Sequence, residues 1–534
     1  MSRTKIAATV AQEAAVWTTG FLALAFAVRT VRYLAHFPLW GDEAAVALNL
    51  LDRGFGDLLT RLDYGQLAPP GFLMGARATL LALGTSEIAL RLAPFAAALG
   101  SVGAFAWQSR LVTAEIRPRP VGVTALPVAL FAVSYYLVRY AAELKPYSLD
   151  VLVACLVPGL AARWLASLPG RDASLGALAA LGCVGPWFSY PTAFVVGGAA
   201  LGLLPAVVRR RSGRTWVLWS LLAAGAALGS GSVYLLVGRA QQLDAAGSSR
   251  WLLDFWAAGF PPAAPLALLR WLASTHTGML FAYPNGGPDG GSVLTLGVFA
   301  VGAWTLWRTH NRTMLAVLLG PFVLTMAASA LRLYPYGVHP RIALFLAPAI
   351  CLLAGVGLAR LLDALPRRAA VPATRVALGL LAALGLGQMA LDVLRPFSIP
   401  DAALVRSVAA EIVEPLGDRD CVVSLNEEAD LLLPQGGPEG PQVGFRWYLR
   451  RAAASRHVGL WDGSPETLVS PSRVRLVVFQ RRGRPDAEAR MAAWDRRSSG
   501  LFTPGIVWGL PASHDGVDRV LLRDDRPAPR REIP

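Results

Sequence analysis

Between residues 14 and 394 the chain alternates apolar runs of about twenty residues with short polar connections. Each run is long enough to cross roughly 30 Å of hydrocarbon as a helix. The pattern predicts spans at 14–34, 87–107, 121–138, 149–167, 173–190, 192–208, 215–237, 292–308, 313–331, 342–362 and 374–394. This is a polytopic α-helical membrane protein of about eleven transmembrane helices.

Two stretches break the rhythm. Within the connection 36–86, GDEAAVALNLLDRGF reads as a short amphipathic helix closed by Gly54, and PPGFLMGARATLLALG as a second. Both are expected to lie along the membrane surface. After residue 395 the period shortens: CVVSL, VRLVVF and DRVLL are strand-like runs between Pro- and Gly-rich turns, preceded by the helix-like PDAALVRSVAAEIVEPL. The expectation is a transmembrane unit, 1–394, followed by a small α/β domain, 395–534, outside the membrane.

Composition agrees with the pattern. Of 534 residues, 54% are hydrophobic and 16% charged, and mean hydropathy is +0.46, too apolar for a soluble protein of this length. The net charge of +15 is spread over short loops with no aromatic-interleaved basic face, which argues against nucleic acid. It records topology instead. Arg110, Arg117 and Arg119, Arg163 and Arg171, Arg209 to Arg211 with Arg214, Arg308 and Arg312, and Arg367, Arg368 and Arg375 all fall on one side, which the positive-inside rule makes cytoplasmic. An odd number of spans then puts the N-terminus inside and 395–534 outside a plasma or inner membrane. The first apolar run reads as a retained helix and not a cleaved signal. Cys155, Cys183 and Cys351 fall in predicted spans and Cys421 in the soluble region, so no disulfide framework follows. The chain carries no phosphate-binding loop and no internal repeat.

Ionisable side chains concentrate at the outer helix ends: Asp42, Glu43, Arg139, Glu143, Lys145, Asp150, Arg332 and Arg341. A transporter would hold its polar groups near the midplane. Three stretches then carry a likeness: WGDEAAVALNL, SEIALRLAPFAAALGSV and RYAAELKPYSLDVL, with YPYGVHPRIALFLAP as a fourth. Over roughly residues 10–394 the chain resembles the GT-C membrane glycosyltransferases, in particular the relatives of protein O-mannosyltransferases and lipid A aminoarabinose transferases. That resemblance implies inverting transfer of a sugar from a polyprenyl-phosphate carrier on the outer face, to a glycan, lipid or protein acceptor, with an acidic residue of the first outer loop as base. Asp42 is the matching residue and Glu43 its neighbour. The chain departs from the family at QLAPP, Gln66 to Pro70, where a lysine is frequent; Gln66 brings no positive charge, so the donor phosphate must be met elsewhere.

The chemistry supplies the other roles. A sugar hydroxyl is a poor nucleophile, and a carboxylate within hydrogen-bond reach accepts its proton as attack proceeds. The departing lipid phosphate needs no acid but does need positive charge, for which Arg139, Lys145 and Arg341 are the candidates. Lys145 and Lys5 are the only lysines in a chain that otherwise uses arginine. Glu143, Tyr147 and Gln66 complete the candidate acceptor and donor site.

Plainer readings stand beside these. Acidic residues in a first helical turn stabilise the helix by about 0.3–1 kcal/mol without any chemistry. Arg139 with Glu143, and Glu87 with Arg91, have i, i+4 ion-pair spacing. Arg341 could anchor a span at the headgroups, and Tyr334, Tyr336, Trp187, Trp251 and Trp256 suit an aromatic belt. His276, His310, His339, His457 and His514 read as ordinary loop residues. A divalent metal is not indicated, since His36 is the only histidine near the acidic pair. A flippase of lipid-linked sugar and a non-catalytic envelope-binding protein remain the rival functions.

Overall fold

The computed structural model describes residues 3–168, 170–243, 247, 249–285, 291–309, 311–394, 406, 409–411, 413–416, 420–424, 447–448, 450–451, 459–461, 473–481, 487–497, 502–505, 507–514 and 517–527. The helices are α1 (Arg3–Leu34), α2 (Gly41–Asp52), α3 (Pro70–Leu83), α4 (Glu87–Ala114), α5 (Ala125–Val133), α6 (Tyr135–Arg139), α7 (Tyr147–Leu165), α8 (Ala173–Val184), α9 (Thr192–Arg210), α10 (Gly213–Val233), α11 (Arg239–Gln241), α12 (Arg250–Phe255), α13 (Pro265–Thr277), α14 (Gly291–Arg308), α15 (Arg312–Ala330), α16 (Ala347–Asp363), α17 (Arg367–Leu394) and α18 (Ala487–Arg497). The strands are β1 (Asp420–Ser424), β2 (Gly459–Trp461), β3 (Arg473–Arg481), β4 (Phe502–Thr503), β5 (Val507–His514) and β6 (Val517–Pro527). Two compact units result. Met1–His36, Arg53–Arg61 and Leu67–Pro396 form one; Phe37–Asp52, Leu62–Gln66 and Phe397–Pro534 form the other.

All eleven predicted spans are helical in the first unit. Eight helices among the described residues are long and apolar enough to cross a membrane, and Ala173–Trp187 and Ser292–Arg308 are shorter apolar helices. The predicted span 121–138 is two helices: α5 stops at Val133, and the chain resumes at Tyr135 bent by 57°. Packing pairs α9 with α15, α14 with α16, α4 with α7 and α8 with α10, while α5 lies against α1 and α16. Glycines allow the closest approaches. Gly198 of α9 lies on Gly320 of α15, and Gly302 of α14 meets the Leu353 carbonyl of α16, so a Cβ at either position would collide with backbone. Lipid tails are as apolar as leucine, so such helices associate by close packing and not by escape from water.

The bend has a visible cause. Ending α5 inside an apolar core orphans its last carbonyls, which costs several kcal/mol each in hydrocarbon. Arg29 of α1, 1% exposed, donates from Nη1 to the Ala132 carbonyl at 3.2 Å and from Nη2 to the Phe131 carbonyl at 3.3 Å, with its guanidinium carbon 5.5 Å from the Phe131 ring centroid. A buried arginine is thereby matched to the negative end of a helix dipole.

In the second unit, β2, β1 and β3 run parallel and β6 pairs antiparallel with β3. β4 and β5 pair with β6, giving the order β2-β1-β3-β6-β4, and α18 packs on β3. Arg475 of β3 pairs with Asp524 of β6 at 2.6 Å, and Arg523 joins Asp525 at 2.8 Å and also Asp495 of α18. Of the predicted helix 400–416, residues 406, 409–411 and 413 are helical; the rest lies partly outside the described residues, as do His310 and His457.

α2 belongs to this unit. Residues 41–50 are all buried. α3 does have the expected one-sided pattern, burying Pro70, Phe72, Leu73, Ala76 and Leu80 and ending at Gly84, whose φ of 83° suits a residue without a Cβ.

Candidate active site

In the first unit the bend delivers SYYLVRYAAELKPY, Ser134 to Tyr147, as a compact corner. α6 runs to Arg139, one turn of 3₁₀-helix covers Tyr140–Ala142, and Pro146 precedes the start of α7. Backbone partners fix it in place. The Tyr135 amide donates to the Pro284 carbonyl at 2.7 Å, Arg32 Nε donates to the Arg139 carbonyl at 2.9 Å, and Ser148 Oγ donates to the Tyr140 carbonyl at 3.0 Å.

Tyr140 is the centre of this corner. Arg139, Glu143 and Arg341 all lie within electrostatic range of its phenol. The guanidinium carbon of Arg139 is 5.3 Å from the ring centroid, and the Tyr147 ring meets it edge-on at 5.3 Å. Glu143 and Lys145 are each 6% exposed, and the Lys145 amide donates to the Glu143 carbonyl at 2.7 Å.

Arg341 arrives from some two hundred residues away on a loop that is itself pinned. The Tyr336 amide donates to the Gly259 carbonyl at 2.8 Å, Tyr336 Oη lies 3.2 Å from His276 Nε2, and Tyr334 Oη donates to the Ile342 carbonyl at 2.8 Å. Burial pushes the Tyr336 phenol above its usual range, so it stays a neutral hydrogen-bonding group. Arg341 is 8% exposed, with its guanidinium carbon 5.5 Å from the Trp256 ring centroid. Tyr334 and Tyr336 are therefore loop ties and not members of an aromatic belt, and His276 is part of the same bracing.

In the second unit Asp42 and Glu43 occupy the first turn of α2, 8% and 0% exposed. Gln66, 2% exposed, donates from Nε2 to Asp42 Oδ1 at 3.3 Å and to the Tyr64 carbonyl at 3.3 Å. Asn49 of α2 ties the same turn, donating to the Asp63 carbonyl at 3.2 Å and accepting from the Asp63 amide at 2.9 Å. A neutral amide at Gln66 orients the carboxylate without neutralising it.

The sequence reading gave Tyr140, in the connection after the span 121–138, no role, although Arg139, Glu143 and Arg341 surround it. Glu87, read as a partner for Arg91, lies 3.0 Å from His36 Nε2. Asp150, named among the ionisable residues at the outer helix ends, stands in the first turn of α7, 6% exposed, with its Oδ1 lacking a hydrogen-bond partner. Among the described residues no three His, Cys, Asp or Glu side chains converge as a metal site.

No protein-family model and no curated protein matches this sequence. Solved structures do. ArnT from Cupriavidus metallidurans in its apo state aligns over 96% of this chain and 98% of its own at 15% identity, TM-score 0.52. The same protein bound to undecaprenyl phosphate aligns over 95% and 98% at 16% identity, TM-score 0.53. The chain has the polytopic fold of the GT-C membrane glycosyltransferases, with the small α/β unit included in the alignment.

Proposed function

We propose that this protein is an integral membrane glycosyltransferase that moves a sugar from a polyprenyl-phosphate donor to an acceptor hydroxyl, with inversion, on the outer face of the membrane. The observation that carries the reading is the convergence of Arg139 and Arg341 on the Tyr140 corner, two cations and one carboxylate brought together from distant parts of the chain. The fold likeness to ArnT, a lipid A aminoarabinose transferase solved with undecaprenyl phosphate, supports it.

Asp42 takes the proton of the acceptor hydroxyl while that oxygen forms its bond to the anomeric carbon. The bond from that carbon to the phosphate oxygen breaks, and the electron pair leaves with the lipid phosphate. A single displacement inverts the anomeric centre. Arg139, Arg341 and Lys145 meet the growing negative charge, the arginines in bidentate fashion and Lys145 as a point charge. Glu143 and Tyr147 hold the corner in register. Glu43, fully buried, supports the start of α2, so Asp42 alone meets the acceptor.

Sugar transfer by the purified protein in nanodiscs, offered a panel of polyprenyl-phosphate sugars, tests the reading. Wild type transfers and Asp42→Asn, which keeps the shape and removes the base, falls by about 10²–10⁴-fold. Full turnover in Asp42→Asn overturns the assignment. Binding without turnover in both proteins favours the flippase.

A further inference from the structure

The helix that carries Asp42 is gripped at both ends by one short segment near the C-terminus. At its N-terminal side, the Leu39 amide, on a residue with no exposed surface, donates to Tyr448 Oη at 2.6 Å. At its C-terminal end Asp52, the last residue of α2, pairs with Arg450 through both carboxylate oxygens. Tyr448 and Arg450 lie two residues apart in a helical stretch, with Tyr448 4% exposed and the neighbouring Trp447 fully buried. The grip belongs to one unit: Phe37–Asp52 and Phe397–Pro534 cluster together.

We infer that Tyr448 and Arg450 are positioning residues for the Asp42 carboxylate, and that the C-terminal α/β unit is thereby an obligatory part of the transferase site. This rests on Asp42 being the base. The physical argument is one of rigidity. A buried amide that loses its acceptor must find another by moving, and Leu39 is three residues from Asp42. A shift of about 1 Å in a catalytic group is enough to slow a reaction by about a hundredfold. The ion pair at the far end removes the remaining freedom, pivoting of α2 about its start. Arg139, Lys145 and Arg341 take no part in this grip, so loosening it is expected to impair proton removal and to spare donor binding.

The test uses the full chain in nanodiscs, with two readouts: steady-state transfer, and hydrogen exchange of the segment 37–52. Tyr448→Phe deletes only the hydroxyl; it is expected to lower kcat about tenfold while donor KM stays within about twofold, and to speed exchange in 37–52. Arg475→Met, which breaks a sheet ion pair in the same unit without touching α2, is expected to leave exchange in 37–52 and kcat unchanged. Arg450→Asp and Asp52→Arg each lower kcat, and the double exchange restores it. The inference is overturned by unchanged exchange in Tyr448→Phe, by faster exchange with unchanged kcat, by Arg475→Met reproducing the Tyr448→Phe effect, or by a charge exchange that recovers nothing. Should Asp42→Asn remain active, the proposed function fails, and exchange in 37–52 still reports independently whether the grip exists.

Discussion

The two ends of α7, 19 residues and about 28 Å apart, hold polar clusters of opposite design. At the C-terminal end Asp172, 1% exposed, accepts from Trp164 Nε1 at 2.8 Å and Thr215 Oγ1 at 3.4 Å and lies 3.5 Å from Arg210 Nη1. Arg210 Nη2 donates in turn to the Trp164 and Ser167 carbonyls at 2.6 and 2.9 Å, and its guanidinium carbon stands 4.1 Å from the Trp164 ring centroid. One anion and one cation, each held by local groups, knit α7, α8, α9 and α10. At the N-terminal end two arginines and one carboxylate crowd a single phenol. The first cluster ties helix to helix; the second gathers its charged side chains around one phenol, and it is there that the proposed function seats the donor phosphate.

Breaking the first cluster should cost stability and spare chemistry. Asp172→Ala leaves a buried guanidinium and a buried indole N–H without their acceptor, and should lower unfolding free energy by about 3–5 kcal/mol, read as a drop in melting temperature in detergent. Transfer per folded molecule should not change; if it falls with stability intact, the contrast is wrong. The reverse holds at the other end. Arg139→Gln with Arg341→Gln should raise donor KM about a hundredfold, roughly 1.4 kcal/mol per tenfold, with little loss of folded protein.

Two smaller effects refine the picture. Arg29→Leu should cost about 2 kcal/mol by orphaning the Phe131 and Ala132 carbonyls, and Arg29→Lys should recover part of it, measured by thermal unfolding. Gln66→Lys restores a charge frequent in the family. A cation there stabilises the Asp42 carboxylate, so the acidic limb of the kcat–pH profile should move down by about one unit, and kcat should fall severalfold because a weaker base removes the proton.

Sequence hydropathy located each of the long apolar helices among the described residues because each apolar run pays its own way in lipid without reference to the rest of the chain. It missed the bend at Ser134, since SYYLVR contains neither Gly nor Pro, and the partner that makes the bend tolerable, Arg29, lies on another helix. It gave α2 one buried face where the structure buries residues 41–50 throughout, because an amphipathic pattern shows that a helix has a face to bury, not what buries it; Tyr448 is about four hundred residues away. Arg139, Lys145 and Arg341 were singled out by charge and by placement at helix ends. That Arg139 and Arg341 share Tyr140 needed the fold, because the loop carrying Arg341 is held by Gly259 and His276, and no local pattern encodes those ties.

The grip on α2 also has a clock. Residue 448 leaves the ribosome some four hundred residues after residue 42, about 20–80 s later at ordinary elongation rates. Throughout that interval the membrane already holds a nearly complete set of helices, while the carboxylate helix lacks the segment that seats it. If the grip is needed for turnover, a nascent chain stalled anywhere short of Tyr448 would be inserted yet silent, and turnover would report that synthesis has passed residue 448.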